Sequence, residues 1–499
     1  MLNHLFHLSP DSDASLQQQI REQISKAIID GHIPPDIPLP STRKLAEMLD
    51  VSRNTVILAY EHLTYDGYLV SRERAGFYVN DEILKSSVKG KDQIKIEGGS
   101  RPDWDTCLKL RPSERKLNKV NRWQDFPYPF IYGQLDPKMF PANHWRECCK
   151  ESVSVQSINE WAGDRYDDDD SLLVEQIHSR LLPRRGVWAD PDEILITVGA
   201  QHALYMILRV LLNKDTCFGL EEPGYPDLTH MADCTGTQIK SLEIDNDGLI
   251  VGDQLSDCDL IFTTPSHQFP TTMTMPMARR KALLEQASRD NFLIIEDDYE
   301  CETTFAKNPT PALKSLDDND RVIYIGSLSK TLSPGLRLGY MVGPKELIRE
   351  IREYRRMMLR HPPMNNQRAV GLFLSRGYHD SLVRGLVQVY EERWKAVGDA
   401  LQHCLPETTH PTMFNGSPVS DNPSVFGGSA YWVKGPENLD ARELKRLARE
   451  RGVIIESGDI YFQRDNPPLN FFRLGYSSIA TERILPGIER LAQIVHQIT

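Results

Sequence analysis

The first hydrophobic stripe runs through Leu16, Ile20, Ile24, Ala27 and Ile28, and Gly31 follows it. Apolar residues recurring on one face of a 3.6-residue turn predict an amphipathic helix, and a glycine stops it. Pro34-Pro35 then breaks the chain. Ser41 precedes a short helical pattern with Leu45, Ala46 and Leu49, and Ser52 precedes a second with Val56, Ala59, Tyr60 and Leu63 at i, i+3, i+4 and i+7. A serine in that place caps a helix, its hydroxyl accepting an N–H of the first turn. Asp50-Val51 makes the turn between the two, and Gly67 closes the second. Tyr68-Leu69-Val70 and Gly76-Phe77-Tyr78-Val79 read as strands around a polar turn.

From about Phe126 the rhythm changes to short apolar runs alternating with helical patterns, which predicts an α/β body. Five runs read as buried strands, each ending in polar or glycine-rich residues. Ile194 to Thr197 leads into Gly199-Ala200-Gln201, and Cys217 to Leu220 into Glu222-Pro223-Gly224-Tyr225. Leu260 to Phe262 leads into Thr264-Pro265-Ser266-His267-Gln268, and Phe292 to Ile295 into Asp297-Asp298-Tyr299. Val322 to Ile325 leads into Ser327-Leu328-Ser329-Lys330. Between the two patterned regions, residues 83 to 123 hold eleven Lys/Arg against five Asp/Glu, with Gly98-Gly99, Pro102 and Pro112 and no sustained apolar period. The expected division is a compact unit over 12–80, a basic flexible linker over 81–125 and the body over 126–499.

Composition narrows the picture. The 499 residues are 40% apolar and 26% charged, as in folded globular proteins, so disorder is not the main state. No run of about 18 apolar residues exists to span a membrane, and the start has no cationic stretch followed by an apolar run. The eight cysteines are scattered without a C-x-x-C pair, which argues against a disulfide framework or a zinc site and for a reducing, cytoplasmic setting. The net charge of −12 speaks against coating nucleic acid by bulk charge but leaves room for a local reader.

Helix, helix, tight turn, helix and hairpin is the order of a winged helix-turn-helix, whose second motif helix presents its first turn to base edges in the major groove. That turn is Arg53-Asn54-Thr55 behind Ser52. Arginine pairs with guanine, asparagine with adenine, and threonine with a base or a methyl group. Ser41 and Arg43 open the preceding helix, where N–H groups favour phosphate, and Arg72 and Arg74 lie at the wing. Against this, residues 1 to 80 hold seven Lys/Arg and ten Asp/Glu, as a plain protein-interaction domain would.

In open α/β sheets, ligands sit beyond the carboxyl ends of the strands, where the five polar motifs of the body would converge. Lys330 at such an edge, near cations or in a dry pocket, can lose its proton and attack a carbonyl. Arg337 can clamp a phosphate, and Ala200 and Gln201 at a helix start offer it N–H groups. Asp297 can pair with a protonated pyridine nitrogen. Tyr299 can donate to a ring oxygen, Tyr225 can stack on a ring face, and Ser327 and Ser329 flank the lysine. Each residue alone has an ordinary structural reading; together, in this order, they describe a pyridoxal 5'-phosphate site.

The string from Leu39-Pro40-Ser41-Thr42-Arg43 through Val51-Ser52-Arg53-Asn54-Thr55-Val56 to Gly67-Tyr68-Leu69 closely resembles the GntR family of bacterial transcription regulators. From Phe126 onward, Glu222-Pro223-Gly224-Tyr225, Asp297-Asp298-Tyr299 and Ser327 to Gly339 resemble fold-type I aminotransferases. Together they resemble the MocR subfamily of GntR regulators across essentially the full chain, supported by Gly133-Gln134-Leu135-Asp136-Pro137 and Pro265 to Pro270. The resemblance implies a winged helix fused to a mostly parallel sheet domain with a smaller C-terminal α+β domain. It implies Lys330 as the Schiff-base lysine and Arg473, in Phe472-Arg473-Leu474-Gly475-Tyr476, as the holder of an effector acid. It also implies a domain-swapped, head-to-tail homodimer in which Tyr166 reaches the partner's phosphate.

Three stretches depart from the family pattern. Tyr166-Asp167-Asp168-Asp169-Asp170-Ser171 carries four carboxylates where glycines are usual, Thr271-Thr272-Met273 replaces a glycine-containing turn, and Asp227 stands where some relatives place an arginine. Two readings follow from the resemblance. One is a transcription regulator that binds operator DNA and senses an amino compound, such as γ-aminobutyrate or taurine, through an external aldimine, with residual transaminase activity at most. The other is a working aminotransferase with an accessory DNA-binding domain. An enzyme has no need of Arg43, Arg53, Asn54 and a wing, which favours the first.

Overall fold

The computed structural model describes residues 8–9, 12, 14–73, 75–82, 101–109, 111, 120, 122–133, 135–165, 167–305, 310–408, 413–414, 417–418 and 427–499. The chain divides into two compact units, residues 1–109 and 110–499. Most of the basic stretch lies outside the described residues; within it, Trp104–Cys107 forms a four-residue helix.

The first unit contains α1 (Leu16–Ile29), α2 (Thr42–Leu49), α3 (Arg53–Tyr65) and the hairpin β1 (Leu69–Arg72) with β2 (Gly76–Val79). The stripe read from the sequence is its core: Ile20, Ile24, Ile28, Leu45, Val56, Ala59, Tyr60, Leu63, Leu69 and Val79 are buried together. Asp50 closes α2 in a left-handed conformation, which sets up the tight turn into α3. The hairpin is docked by polar as well as apolar contacts. The Leu39 N–H donates to the Phe77 carbonyl at 2.8 Å. The buried Tyr60 hydroxyl donates to the Pro40 carbonyl at 2.9 Å, and its ring meets Phe77 edge-on at 5.0 Å.

The second unit is built on an eight-stranded sheet: β3 (Ile194–Thr197), β4 (Cys217–Glu222), β5 (Gln238–Asp245), β6 (Gly248–Leu249), β7 (Leu260–Thr263), β8 (Leu293–Asp297), β9 (Val322–Ser327) and β10 (Gly339–Val342). Their spatial order is β3-β10-β9-β8-β7-β4-β5-β6. β9, β8, β7, β4 and β5 run parallel, and β10 is antiparallel to both neighbours. The carboxyl ends of β3, β4, β7, β8 and β9 therefore share one edge, as expected. Helices cover both faces. Ile295 packs with Leu204 and Ile207 of α4 (Ala200–Leu211) and Ile351 of α5 (Lys345–Leu359). Its neighbour Ile294 packs with Leu283 from the helix Met277–Asp290. That alternation is the period-two signature of a strand buried on both sides.

The smaller C-terminal part carries the antiparallel strands β11 (Ala430–Lys434), β12 (Glu456–Ser457) and β13 (Phe471–Gly475) in the order β11-β13-β12. The α+β character expected from the resemblance is present. The sequence reading missed β5, β6 and β10. The pattern of β5 is half exposed, and β10 follows directly on the Ser327 to Gly339 motif.

Two carboxylates of the acidic run, Asp169 and Asp170, are structural. Asp169 is paired with Arg355 at 2.7 Å and Arg352 at 2.9 Å. Asp170 caps the helix Ser171–Gln176 and pairs with Arg368 at 2.8 Å. Tyr166 lies outside the described residues. Thr272 adopts φ 66°, a left-handed conformation that costs a β-branched residue strain and in which glycine would be at ease.

Candidate cofactor pocket and DNA-reading surface

In the first unit the two serines do what capping chemistry demands. The Ser41 hydroxyl accepts from the Lys44 N–H at 3.3 Å, and that of Ser52 accepts from the Thr55 N–H at 3.1 Å. The Ser52 and Thr55 hydroxyls also share a hydrogen bond of 2.8 Å. With those hydroxyls spent on the helix start, Arg53 and Asn54 are exposed side chains of the first turn, and Arg43 is exposed on α2. Arg72 lies over the Tyr78 ring at 4.1 Å, a contact that props a wing cation without neutralising it. Arg74 lies outside the described residues.

In the second unit, β8 aims three successive carboxylates in alternating directions. Glu296 accepts the backbone N–H groups of Leu313 and Lys314 at 2.7 and 2.8 Å. Asp298 accepts from Arg185 at 2.7 Å and from the Tyr324 hydroxyl at 2.9 Å. Asp297 is buried and its Oδ1 has no hydrogen-bond partner among the described residues; Asp298 Oδ1 lacks one too, but Asp298 is already engaged through Oδ2 by Arg185 and Tyr324. Burial pushes its carboxyl up to about 7, the neighbouring Asp298 adds to that, and the Lys330 ammonium opposes it. An orphaned buried acceptor that would gain from a cation is what a pyridinium partner requires.

Lys330 follows β9 in a turn where the Ser329 N–H donates to the Ser327 hydroxyl at 3.3 Å. Its Nζ stands 4.0 Å from the Tyr132 ring centroid and 6.0 Å from that of Tyr299. Gly133, at φ 71°, makes room: a Cβ there would fall 2.5 Å from that nitrogen. A second cradle forms at the start of α4. Gly199 caps it at φ 77° without a side chain, and a Cβ would fall 2.9 Å from the Arg337 guanidinium, which donates to the Val198 carbonyl at 3.2 Å. The N–H groups of Ala200 and Gln201 are among those a helix start leaves without an intrahelical acceptor, so cation and helix dipole converge on a place suited to phosphate. The Tyr225 hydroxyl and the Gln201 amide both donate to Asp227 Oδ2, at 3.0 and 3.2 Å.

The Tyr299 hydroxyl donates to the His267 carbonyl at 2.9 Å, as a buried hydroxyl must find an acceptor. Sequence reasoning also missed an aromatic box of Tyr132, Phe269, Tyr299, Trp432 and Tyr461, whose members come from five distant segments. Arg473 on β13 sits in it, fully buried, 3.6 Å from the Tyr132 centroid and 4.5 Å from that of Phe269. None of its three guanidinium nitrogens has a hydrogen-bond partner among the described residues. The donors and the orphaned acceptor therefore fit a phosphorylated pyridine aldehyde and an acidic ligand.

Comparison with known proteins agrees with this geometry. Residues 16–79 match the bacterial regulatory proteins, gntR family, and residues 171–483 match aminotransferase class I and II. The second unit superposes on an archaeal alanine:glyoxylate aminotransferase with a TM-score of 0.70, at 25% identity over 80% of this chain and 100% of that one. A Pyrococcus horikoshii kynurenine aminotransferase gives 0.66, at 26% identity over 79% and 98%. Fold and pocket thus define a winged helix fused to an aminotransferase-type body whose cofactor is pyridoxal phosphate.

Over the whole length, the chain is 39% identical to the HTH-type transcriptional regulator TauR of Rhodobacter capsulatus, covering 98% of both. It is 30% identical to the probable rhizopine catabolism regulatory protein MocR of Rhizobium meliloti, covering 97% of this chain and 94% of that one. The chain belongs to the gntR family of bacterial transcription regulators, in its MocR type. Among the described residues no helix is long and apolar enough to cross a membrane.

Proposed function

We propose that this regulator senses a small amino compound bearing one acid group, and that occupancy of the body alters operator binding by the winged helix. The observation that carries the proposal is the unmet capacity of two buried charged groups in one pocket, Asp297 and Arg473. When bound, the cofactor supplies an aldehyde carbon that condenses reversibly with primary amines and a ring that withdraws electrons. Asp297 would hold the ring nitrogen, Tyr225 would stack on the ring, and Arg337 with the start of α4 would hold the phosphate. Lys330, held against Tyr132, would compete with the effector amine for the aldehyde carbon, and Arg473 would take the effector's acid end through paired hydrogen bonds. The resemblance to TauR favours an amino sulfonate such as taurine, with γ-aminobutyrate as the carboxylate counterpart.

In the head, Arg53 and Asn54 would read bases while Arg43, Arg72 and the α2 start would contact phosphates. The basic stretch would add salt-dependent affinity without base preference. Sensing rather than turnover is the role proposed for the body, acting in a homodimer. The deciding experiment titrates taurine, γ-aminobutyrate and other amino acids into the yellow holoprotein, following the near-visible absorbance, and repeats operator gel shifts at saturation. A compound that changes both supports the reading; amino compounds that change neither overturn it.

A further inference from the structure

Arg473 is fully buried and makes no well-formed hydrogen bond among the described residues, although the hydroxyls of Tyr132 and Tyr461 interact with its guanidinium. Ring faces hold it. Among the described residues, the carboxylate within 4.0 Å of it is that of Glu456, which faces Arg473 in the register of β12 and β13. Glu456 Oε2 lies 3.9 Å from a guanidinium nitrogen, too far for a hydrogen bond. The same oxygen accepts the Tyr461 hydroxyl at 2.8 Å, and Tyr461 is itself locked in the aromatic box, edge-on to Phe269 at 5.4 Å and to Trp432 at 5.6 Å.

This arrangement has a physical cost and a use. A buried cation with no counter-charge is expensive, and Glu456 offsets part of that cost from a distance. It does so without a direct hydrogen bond to the guanidinium, 3.9 Å away. Because the carboxylate remains beside the site, an arriving anion meets a like charge, at a separation where a partly desolvated pair still repels appreciably. One acid group is drawn to Arg473; a second placed on the Glu456 side would be repelled by its carboxylate.

We propose that Glu456, held back by Tyr461, is the specificity-determining residue of the acid subsite: it tempers the affinity of Arg473 and restricts effectors to compounds with a single acid group. The inference rests on the sensing reading above. It is tested on the full-length holoprotein with taurine, γ-aminobutyrate and L-glutamate as probes, by spectral titration and calorimetry.

Glu456→Gln keeps an acceptor for Tyr461 and removes the charge. It should tighten taurine and γ-aminobutyrate binding roughly tenfold, and L-glutamate binding by more. Tyr461→Phe releases the carboxylate to pair directly with Arg473, so affinity should move the opposite way, and adding Glu456→Gln to it should restore tight binding. Damage to the fold would weaken binding in both single variants, so the opposed signs separate the proposal from a merely structural role. A Glu456→Gln protein that binds the probes no more tightly than the parent, while the parent responds normally, overturns this inference alone. A parent protein that responds to no amino compound overturns the sensing reading instead.

Discussion

The two units expose their chemistry in opposite ways. In the winged helix, the side chains proposed to meet the ligand stand in solvent, and the buried or capping groups beneath them are hydrogen-bonded: Tyr60 to Pro40, Ser41 to Lys44, Ser52 to Thr55. In the body, two of the groups proposed to meet the ligand are buried with atoms unmet among the described residues, Asp297 Oδ1 and the three nitrogens of Arg473, while Arg337 is exposed and Tyr225 is bonded to Asp227. Water satisfies an exposed arginine until a phosphate displaces it, so the head can wait at little cost. A buried group has less access to water, so leaving it unpaired is the costlier arrangement.

Substitutions probe that contrast, the largest effect first. Lys330→Ala should abolish the near-visible absorbance of the lysine-bound cofactor entirely; a purified variant that keeps the band would remove Lys330 from the site. Arg473→Ala should weaken effector binding about a hundredfold, or about 2–3 kcal/mol, since it deletes the one cation proposed for the acid end. A calorimetric change under twofold would show that the acid binds elsewhere. Arg53→Ala should cost about 1–3 kcal/mol of operator affinity and relax base preference at one position, read by gel shift. Unchanged affinity would count against the head as reader.

The body alone should show a pH effect. Asp297 ionises near its ordinary 3.8 when unfolded but only around 7 in the fold. Between those values the folded state holds a proton that the unfolded state has lost, so stability falls as pH rises from about 4 to about 7. Glu221 and Glu302, both pushed up to about 7 by burial, act in the same window. In cofactor-free protein, Asp297→Asn should make the decline of the melting temperature with pH shallower; an unaltered slope would mean that Asp297 is already ionised. Smallest of all, Ser52→Ala should cost the first unit about 1 kcal/mol of stability through the lost helix cap, measured by denaturant unfolding of the full chain.

Much of this was legible in the order of residues. Periodicity located α1 to α3 and the hairpin because a small unit must bury one stripe per element. The five strand ends were visible because each apolar run stops abruptly at polar residues. What stayed hidden was whatever depends on segments meeting in space. Tyr132, Phe269 and Tyr461 look like ordinary core residues until they close around Arg473. Asp169 and Asp170 read as a change of site chemistry, yet their partners Arg352, Arg355 and Arg368 lie far along the chain. The carbonyl that accepts the Tyr299 hydroxyl's hydrogen bond, that of His267, belongs to a different loop.

The space beside Gly133 has an evolutionary corollary. A methyl group at that position would claim the volume held by the amine of Lys330, and would do so on a backbone turned the wrong way for an L side chain. In a randomised library screened by colony colour, position 133 should return glycine alone, while neighbours such as Ile131 drift among aliphatic residues. A residue without a side chain would then be as intolerant of change as the nucleophile it shelters.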